Sequence, residues 1–353
     1  MHVYFALALI TLVLFSCTKA SSDGLTLKLK PRVVNASVLQ PATASRSIFG
    51  PHDAHLGIVR AWTTIIEVGF PPRKVEVSVD TGSSDVIVDY DSYNPSKSLT
   101  SHNLHKDWAS FGSGRVYADE IKLGDVKIKD VAVGHQRKGD DYYYGDHIHG
   151  LIGIMLPRTS FGTDKPTIVK AAMEQHAFKR NVWQLTFRDD GDSSLNIGKI
   201  DKSEYEGDLG WVDIDKDQDE WRLELDINGY KAFGVVDSGG TDQLQAGTDR
   251  VQKLFHQLPI TSVIRDVNRG TLDGWFDCDN IPDITITVGG RELKFPKRFM
   301  SQKKPDDDTK GKFPVYGEDD LNEWNFANPI FRIASIVFDM DNRRVGFAPQ
   351  RNK

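Results

Sequence analysis

Two short stretches of the sequence carry the residue types of an acid–base catalyst. Residues 79–85 read V-D-T-G-S-S-D, and residues 236–242 read V-D-S-G-G-T-D. Each follows an apolar run typical of a β-strand, residues 75–79 in the first case and 232–236 in the second. One Asp-Ser/Thr-Gly tripeptide is weak evidence, but two copies in the same strand-then-turn context indicate a structural repeat.

The chemistry available to this repeat depends on bringing its two aspartates, Asp80 and Asp237, close together. Two neighbouring carboxyl groups cannot both ionise easily, so they share one proton over a wide pH range. The ionised carboxylate is then a general base and the protonated carboxyl a general acid, and together they can activate a water against a peptide carbonyl. We therefore predict that Asp80 and Asp237 are catalytic. The alternative is that each tripeptide is only a solvated hairpin turn.

The residues next to the two aspartates are suited to hold them in place. A glycine after each Asp-Ser/Thr pair lets the backbone turn tightly and approach a partner loop. Serine and threonine hydroxyls can brace such turns through hydrogen bonds. The predicted supporting residues are Thr81, Gly82, Ser83, Ser238, Gly239 and Thr241.

Residues 61–349 resemble the pepsin-like aspartic proteases. Besides the two aspartate phrases, the resemblance rests on residues 281–290 and on the C-terminal stretches 336–339 and 342–349. It implies an all-β, bilobed pepsin-like fold, in which two pseudo-symmetric β lobes enclose a cleft. It also implies an aspartic endopeptidase that hydrolyses peptide bonds at acidic pH, acts on polypeptide substrates and needs no cofactor.

Length and composition agree with two lobes. The chain has 353 residues, which at roughly 150 residues per domain suggests two domains. Asp80 and Asp237 lie 157 positions apart (237 − 80), about one lobe. We predict an N-terminal β lobe over residues 51–200 and a C-terminal β lobe over residues 201–353. The formal net charge of −6 does not favour nucleic-acid binding, and we expect a monomer.

The first 50 residues differ from the rest. Residues 1–20 are predicted to be a signal peptide, because residues 3–15 are largely apolar yet too short for a comfortable membrane span. This predicts a secreted protein, or one in an acidic lysosome- or vacuole-like compartment, with no stable membrane association. Residues 21–50 form a possible pro-segment, since the resemblance implies a zymogen whose basic segment covers the acidic cleft. The alternative is a permanent strand of the body.

Asn35 and Cys278 bear on two possible covalent modifications, glycosylation and disulfide formation. Asn35 begins the sequon Asn-Ala-Ser and is predicted to be a glycosylation site. Removal of a signal peptide would take Cys17 with it and leave Cys278 without a partner. The sequence therefore predicts a disulfide-free protein in which Cys278 is an inert thiol.

By the same resemblance, Phe111, Gly112 and Ser113 are predicted to form a substrate-binding flap, followed by the alternating residues 116–133. A mobile hairpin over the cleft can exclude water and hold the substrate backbone. The family usually has tyrosine at the position of Phe111 and a tryptophan, its hydrogen-bond partner, at the position of Ile87. Both polar groups are absent together in this chain, which predicts a more apolar flap.

The second aspartate loop departs from the family pattern at Gly240, where a serine or threonine normally donates a hydrogen bond to the second aspartate. The neighbouring Thr241 could substitute in part; if nothing does, the proton affinity of Asp237 rises. Asn325 and Ala327 are further departures. They motivate an alternative function, a catalytically weak or inactive pepsin-fold protein that binds or inhibits.

The remaining predictions concern metals and the elements that carry the site. No metal is predicted, because Asp146, His147 and His149, or His52 with His55, lack the spacing of a zinc protease. Residues 303–312 are predicted to be a charged, solvated loop. Strands are expected at residues 62–68, 74–79, 85–88, 182–187 and 221–227, with a short helix at 167–176.

Overall fold

The computed structural model describes residues 21–35, 58–109, 112–139, 147–189, 191–300, 303–304 and 307–351. Within these ranges the chain is mostly β and forms two sheets, which confirms the all-β, bilobed class. The predicted signal peptide, residues 36–50 of the possible pro-segment and Phe111 lie outside the described residues, as do Cys17, His52, His55 and Asp146.

The elements of the described residues are numbered in chain order. The strands are β1 (Leu25–Asn35), β2 (Ile58–Val68), β3 (Arg73–Asp80), β4 (Val86–Val88), β5 (His102–Ala109), β6 (Ser113–Leu123), β7 (Val126–Gln136), β8 (Gly150–Gly153), β9 (Val182–Thr186), β10 (Ser193–Ile197), β11 (Gly210–Asp213), β12 (Arg222–Ile227), β13 (Tyr230–Val236), β14 (Leu244–Ala246), β15 (Ser262–Asp266), β16 (Thr271–Asp277), β17 (Thr285–Val288), β18 (Arg291–Lys294), β19 (Lys303–Lys304), β20 (Asp307–Glu318), β21 (Trp324–Phe326), β22 (Ala334–Asp339) and β23 (Arg344–Pro349). The helices are α1 (Ile168–Glu174), α2 (Thr248–Phe255) and α3 (Asn328–Phe331).

Two sheets divide the described strands. The first has the order β11-β23-β22-β9-β10-β1-β2-β3-β8-β4-β7-β6-β5, with an additional β2–β6 pairing. The second has the order β15-β16-β20-β14-β21-β13-β12-β17-β18, and β19 pairs with β20. Because β11, β22 and β23 come from the C-terminal half, the first sheet ties both halves of the chain together.

The sequence repeat is also a repeat of strand topology. In the first half β3 runs parallel to β8, β8 antiparallel to β4, and β4 parallel to β7. In the second half β13 runs parallel to β21, β21 antiparallel to β14, and β14 parallel to β20. Asp80 ends β3 and Asp237 follows directly after β13. Each aspartate therefore leaves the same kind of strand and enters the same kind of loop.

The strands that lead to the first aspartate are buried on both faces. Side chains of β3 change from exposed to fully buried as the strand approaches Asp80, and all residues of β4 and β8 are buried. A strand covered on both faces reads as a continuous apolar run, which explains the sequence around residues 86–88 and 150–153. The two halves also meet directly, because Trp221 Nε1 donates to the carbonyl oxygen of Ile154 at 3.1 Å. The loop that begins at Asp80 thus starts from a buried core.

Most predicted elements are found, and one prediction is wrong. Residues 303–304 form β19 and residues 307–312 belong to β20, so the segment is not simply a solvated loop. Lys312 is only 5% exposed, and its Nζ lies 2.8 Å from Asp273 Oδ1 on the neighbouring strand β16. The run of charged residues predicts a solvent-exposed segment, but the long side chain of a lysine can be buried when its ammonium group has a carboxylate partner.

Strand β1 shows where the described part of the possible pro-segment lies. Residues 25–29 pair with β10 and residues 30–35 pair with β2, so β1 is an interior strand of the first sheet. Leu29 is fully buried, and Arg32 makes a two-pronged ion pair with Glu76 at 2.6 and 2.8 Å. The side chains of Lys28 and Lys30 are exposed. This stretch therefore fills a gap in the sheet, and the fate of residues 21–50 stays a prediction.

Cys278 is a free, half-buried thiol. None of the helices in the described parts of the chain has the length and apolar character needed to span a membrane.

We predict that Leu29→Ala lowers the free energy of unfolding by about 2–5 kcal/mol, because it opens a cavity between β1 and the core. Val33→Ala is the matched control on the same strand, since Val33 is 62% exposed, and should change stability by less than about 0.5 kcal/mol. Urea unfolding of the purified protein measures both. Equal effects of the two substitutions would contradict the position of β1 inside the sheet.

Candidate active site

The two predicted catalytic side chains meet at the junction of the two halves. Asp80 is almost fully buried and Asp237 is half-buried. Each carboxyl group lies against the glycine of the opposite loop, Asp237 against Gly82 and Asp80 against Gly239. The structure thus brings together the pair that sequence analysis singled out.

The glycines of the two loops are required by this close approach. The backbone N–H of Gly82 donates to Asp80 Oδ1 at 2.8 Å, and that of Gly239 donates to Asp237 Oδ1 at 2.8 Å. A β-carbon on Gly82 would lie 2.5 Å from Asp237 Cγ, and one on Gly239 would lie 2.4 Å from Asp80 Cγ. Each carboxyl group therefore occupies the space that a side chain on the opposite loop would need.

Thr81 and Ser238 lock the loops to each other. Thr81 Oγ1 donates to the carbonyl oxygen of Val236 at 2.7 Å, and Ser238 Oγ donates to that of Val79 at 2.8 Å. The backbone N–H of each residue donates in turn to the hydroxyl of the other, at 3.0 and 2.9 Å. Sequence analysis expected these hydroxyls to brace their own turns. They instead form four buried hydrogen bonds across the junction.

The second oxygen of each carboxyl group has a different side-chain donor. Ser83 Oγ donates to Asp80 Oδ2 at 2.5 Å, as predicted for loop support. Thr241 does not replace the missing hydroxyl at Gly240, because its Oγ1 bonds only to the backbone of Gln243. Asn325 provides the donor instead, with Nδ2 2.8 Å from Asp237 Oδ2. In the sequence, Asn325 stands out only as a departure from the family pattern. The signal for its role as a donor is that Gly240, which lacks the usual hydroxyl, departs from the pattern as well.

Burial dominates the electrostatics of the pair. Removal from water, followed by the charge of Asp237, raises the pKa of Asp80 well above its ordinary range, although hydrogen bonds from Ser83 and Gly82 oppose the shift. The pair therefore keeps a proton at pH values where two separated aspartates would both be ionised.

Comparison with known proteins agrees with this geometry. The sequence pattern of the family described as "Eukaryotic aspartyl protease" matches residues 61–350. The chain belongs to the pepsin-like aspartic protease family. It is 28% identical to "Secreted aspartyl protease 1" of Malassezia globosa over 81% of this chain and 73% of that protein. It is 27% identical to "Pepsin F" of Oryctolagus cuniculus, over 82% of this chain and 81% of that protein.

A further relative bears on the alternative function. The chain is 26% identical to a "Probable inactive secreted aspartyl protease" of Malassezia globosa, over 82% of this chain and 78% of that protein. Members of this protease family thus include proteins described as proteases and one described as inactive. Membership alone therefore does not establish activity.

The predicted flap of this family member is the hairpin of β5 and β6, in which Ala109 pairs with Ser113. Gly112, at its tip, has φ of 107°, a left-handed conformation that favours glycine. The segment 116–133 belongs instead to β6 and β7, whose turn lies at the other end of β6. Beneath the hairpin, Ile87 packs in an apolar cluster with Trp108. The role of Phe111 stays a prediction because that residue lies outside the described ranges.

The other predicted sites have simple surroundings in the structure. His149 Nδ1 lies 2.8 Å from Asp89 Oδ2, so its nearest charged partner is a single carboxylate. The described residues contain no cluster of three or more His, Cys, Asp or Glu side chains able to hold a metal ion. Asn35 ends β1, and its glycosylation stays a prediction.

We predict that Thr81→Ala lowers the free energy of unfolding by roughly 2–4 kcal/mol, because it leaves the buried carbonyl of Val236 and the N–H of Ser238 without partners. Thr81→Ser keeps a hydroxyl at this position, and Ser238 shows that a serine hydroxyl makes the same hydrogen bonds at the equivalent position of the second loop. It should cost less than about 1 kcal/mol. Urea unfolding of both variants measures the difference, and equal stability of the two would refute the cross-loop lock.

A second prediction follows from the raised pKa of Asp80. A carboxyl whose pKa is higher in the folded state contributes stability that is complete below the unfolded-state value, about 3.9, and is lost as pH rises through the folded-state pKa. Asp237→Asn retains Asp80, whereas the Asp80→Asn/Asp237→Asn protein lacks it, and neither has a complete dyad.

We expect stability of the single variant to fall more steeply between pH 4 and pH 7, by about 1.4 kcal/mol for each unit of raised pKa. Burial, the largest cause of the shift, survives the Asp237 substitution. Urea unfolding at a series of pH values provides the test, and parallel profiles would mean that burial does not raise the pKa.

Proposed function

We propose that this chain is an aspartic endopeptidase that hydrolyses peptide bonds with a water activated by Asp80 and Asp237. The reciprocal arrangement of the two loops carries the proposal. Gly82 lies against the carboxyl group of Asp237, and Gly239 lies against that of Asp80. A pair of solvated turns, the alternative considered for the sequence, has no reason to produce this arrangement.

The reaction uses the single proton that the pair holds. The ionised carboxylate removes a proton from water as the water oxygen bonds to the carbonyl carbon, and the protonated carboxyl gives its proton to the carbonyl oxygen. When the C–N bond breaks, the leaving nitrogen takes the proton from the carboxyl group that had accepted it from water, and the carbonyl re-forms as one hydroxyl of the diol gives its proton to the other, ionised carboxylate. The dyad ends with one proton, as it began.

This proton balance sets the pH range of the proposed activity. Below the range both carboxyl groups are protonated and the general base is lost; above it both are ionised and the general acid is lost. The raised pKa of Asp80 extends the upper limit, yet the active form still requires a protonated carboxyl group. We infer from this balance that the pH optimum is acidic. We also infer a secreted or acidic-compartment location, and the description of a relative as a secreted protease supports secretion.

The N-terminal segment is part of the proposal. The interior position of β1, with Leu29 fully buried, supports the view that residues 21–35 stay with the folded body. Their loss would expose unpaired edges on β10 and β2 unless another strand took their place. A pro-segment that is later discarded would require that replacement.

A non-catalytic binding or inhibitory protein is the second candidate. The exchanges at Gly240, Asn325 and Ala327 favour it, together with the relative described as inactive. Both aspartates and both glycines are nevertheless retained, and Asp237 has a donor despite Gly240. The enzyme therefore explains more of the site.

We predict acid-stimulated cleavage of denatured haemoglobin or casein that a pepstatin-like inhibitor stops. Asp80→Asn and Asp237→Asn should each reduce the rate by about 10³-fold or more, because either change removes the shared-proton pair. Asp217→Asn is the matched control, as this carboxylate is exposed and belongs to a turn. Activity that survives Asp237→Asn would reject the dyad.

N-terminal sequencing should accompany this assay. An active protein that begins near Ser21 would count against removal of residues 21–50. Loss of activity with a chelator, and no response to the inhibitor, would point to a metal-dependent hydrolase instead.

A further inference from the structure

Each of the two carboxyl groups receives one backbone donor and one side-chain donor, but the side-chain donors differ. Asp80 is bound by Gly82 N–H and Ser83 Oγ, whereas Asp237 is bound by Gly239 N–H and Asn325 Nδ2. We propose that Asn325 is the positioning residue of the second carboxylate and that it holds Asp237 in its ionised form. This inference rests on the proposed protease function.

The internal repeat of the chain shows what has been exchanged. β8 lies beside β3 with Ile152 opposite Val79, and β21 lies beside β13 with Phe326 opposite Val236. Superposing these registers makes Asn325 the counterpart of Leu151. By the same superposition Ala327 corresponds to Gly153, and Gly240 to Ser83. The first half thus combines serine, leucine and glycine at the three positions where the second half combines glycine, asparagine and alanine.

The three differences form one spatial unit. A β-carbon on Gly240 would lie 2.7 Å from Ala327 Cβ and 3.1 Å from Asn325 Oδ1. In the first half the loop position carries the side chain of Ser83, and the crossing-strand position is Gly153, which has no methyl group. A side chain in the loop and a methyl group on the crossing strand therefore exclude each other in this position. Gly240 provides the space that the amide of Asn325 and the methyl of Ala327 occupy.

Two neighbouring strands fix the backbone position of Asn325. It lies in the middle of β21, where its backbone pairs with Val235 on one side and Gln245 on the other. Its Oδ1 is buried and has no hydrogen-bond partner among the described residues. A buried acceptor without a partner is costly, so its presence here requires a compensating role. The bond from Nδ2 to Asp237 is that role.

An amide donor differs chemically from the hydroxyl it replaces. A hydroxyl can rotate to donate to a carboxylate or to accept from a protonated carboxyl, whereas the N–H of a carboxamide can only donate. Nδ2 of Asn325 therefore stabilises the charged form of Asp237. Ser83 opposite remains able to serve either form of Asp80. The result is an asymmetric dyad in which the charge is favoured on Asp237 and the proton on Asp80.

Other charged groups around Asp237 stay the same when Asn325 is changed. Asp80 faces it from the first loop, and the charge of Asp237 also reaches Glu220. Glu220 is surrounded by Arg222, Glu323 and Arg158. An effect of an Asn325 substitution on pH dependence therefore reports on the donor itself.

The first test is the pH profile of kcat/KM. Asn325→Leu, which copies Leu151, should move the acidic limb upward by about one pH unit and lower kcat about tenfold. The triple variant Gly240→Ser/Asn325→Leu/Ala327→Gly copies the first half and should return the limb toward the wild-type position. Gly240→Ser alone should be less active than the triple variant, because its β-carbon meets Ala327. Asn268→Leu, on an exposed turn, is the control for the asparagine-to-leucine change.

The second test does not require activity. In an Asp80→Asn background, urea unfolding is compared with and without Asn325→Leu at pH 6 and pH 2.5. A hydrogen bond from an N–H donor to a carboxylate is stronger than one to a neutral carboxyl group, so the cost of removing Asn325 Nδ2 should be larger at pH 6 than at pH 2.5. A packing role would give the same cost at both pH values.

The outcomes separate this inference from the proposed function. A wild-type protein without inhibitor-sensitive cleavage would refute the protease, and the urea comparison would still decide the role of Asn325. An active enzyme whose acidic limb is unmoved by Asn325→Leu, or a pH-independent cost of the leucine, would overturn the inference. Restoration by the triple variant, together with the pH-dependent cost, would support it.

Discussion

The structure depends on holding two carboxyl groups side by side where water is scarce. Each group disfavours the ionisation of the other, and burial disfavours the charge further, so the arrangement opposes folding unless other contacts compensate. The compensation is provided by Thr81 and Ser238, whose hydroxyls each donate once and accept once across the junction. Serine and threonine are suited to this because one oxygen serves as both donor and acceptor. The lock explains why a hydroxyl follows each aspartate.

The repeated topology supplies two rigid strands for these loops. β3 ends at Asp80 and β13 ends one residue before Asp237, and each pairs in parallel with a crossing strand, β8 or β21. Backbone pairing fixes the height of each loop, and the absence of a β-carbon on Gly82 and Gly239 lets the two loops close onto each other. The fold therefore positions the two carboxyl groups with backbone contacts, which a surface substitution cannot easily disturb.

The sequence was informative where a requirement is local and less so where it arises from packing. Asp80, Asp237 and their glycines could be predicted because tight turns and shared-proton chemistry demand those residue types. The hydrogen bonds of Thr81 and Ser238 across the junction could not, since nothing in one loop reports the position of the other. The sequence predicts an exposed Lys312, because nothing near it in the chain indicates that its carboxylate partner is Asp273.

Asn325 illustrates the same limit more sharply. As an isolated residue it is a polar side chain in an apolar strand. Together with Gly240 it suggests, from the sequence alone, a weak or inactive protease. In the structure the same two residues explain each other, since one removes a donor and vacates space, and the other fills that space with a donor. Departures from a family pattern can therefore preserve an interaction, here a side-chain donor to Asp237, when they occur in contact with one another. Whether such an exchange is neutral depends on chemistry as well as shape, because the N–H donor of Asn325 favours the ionised form of the carboxyl group that it binds, whereas a hydroxyl can donate or accept.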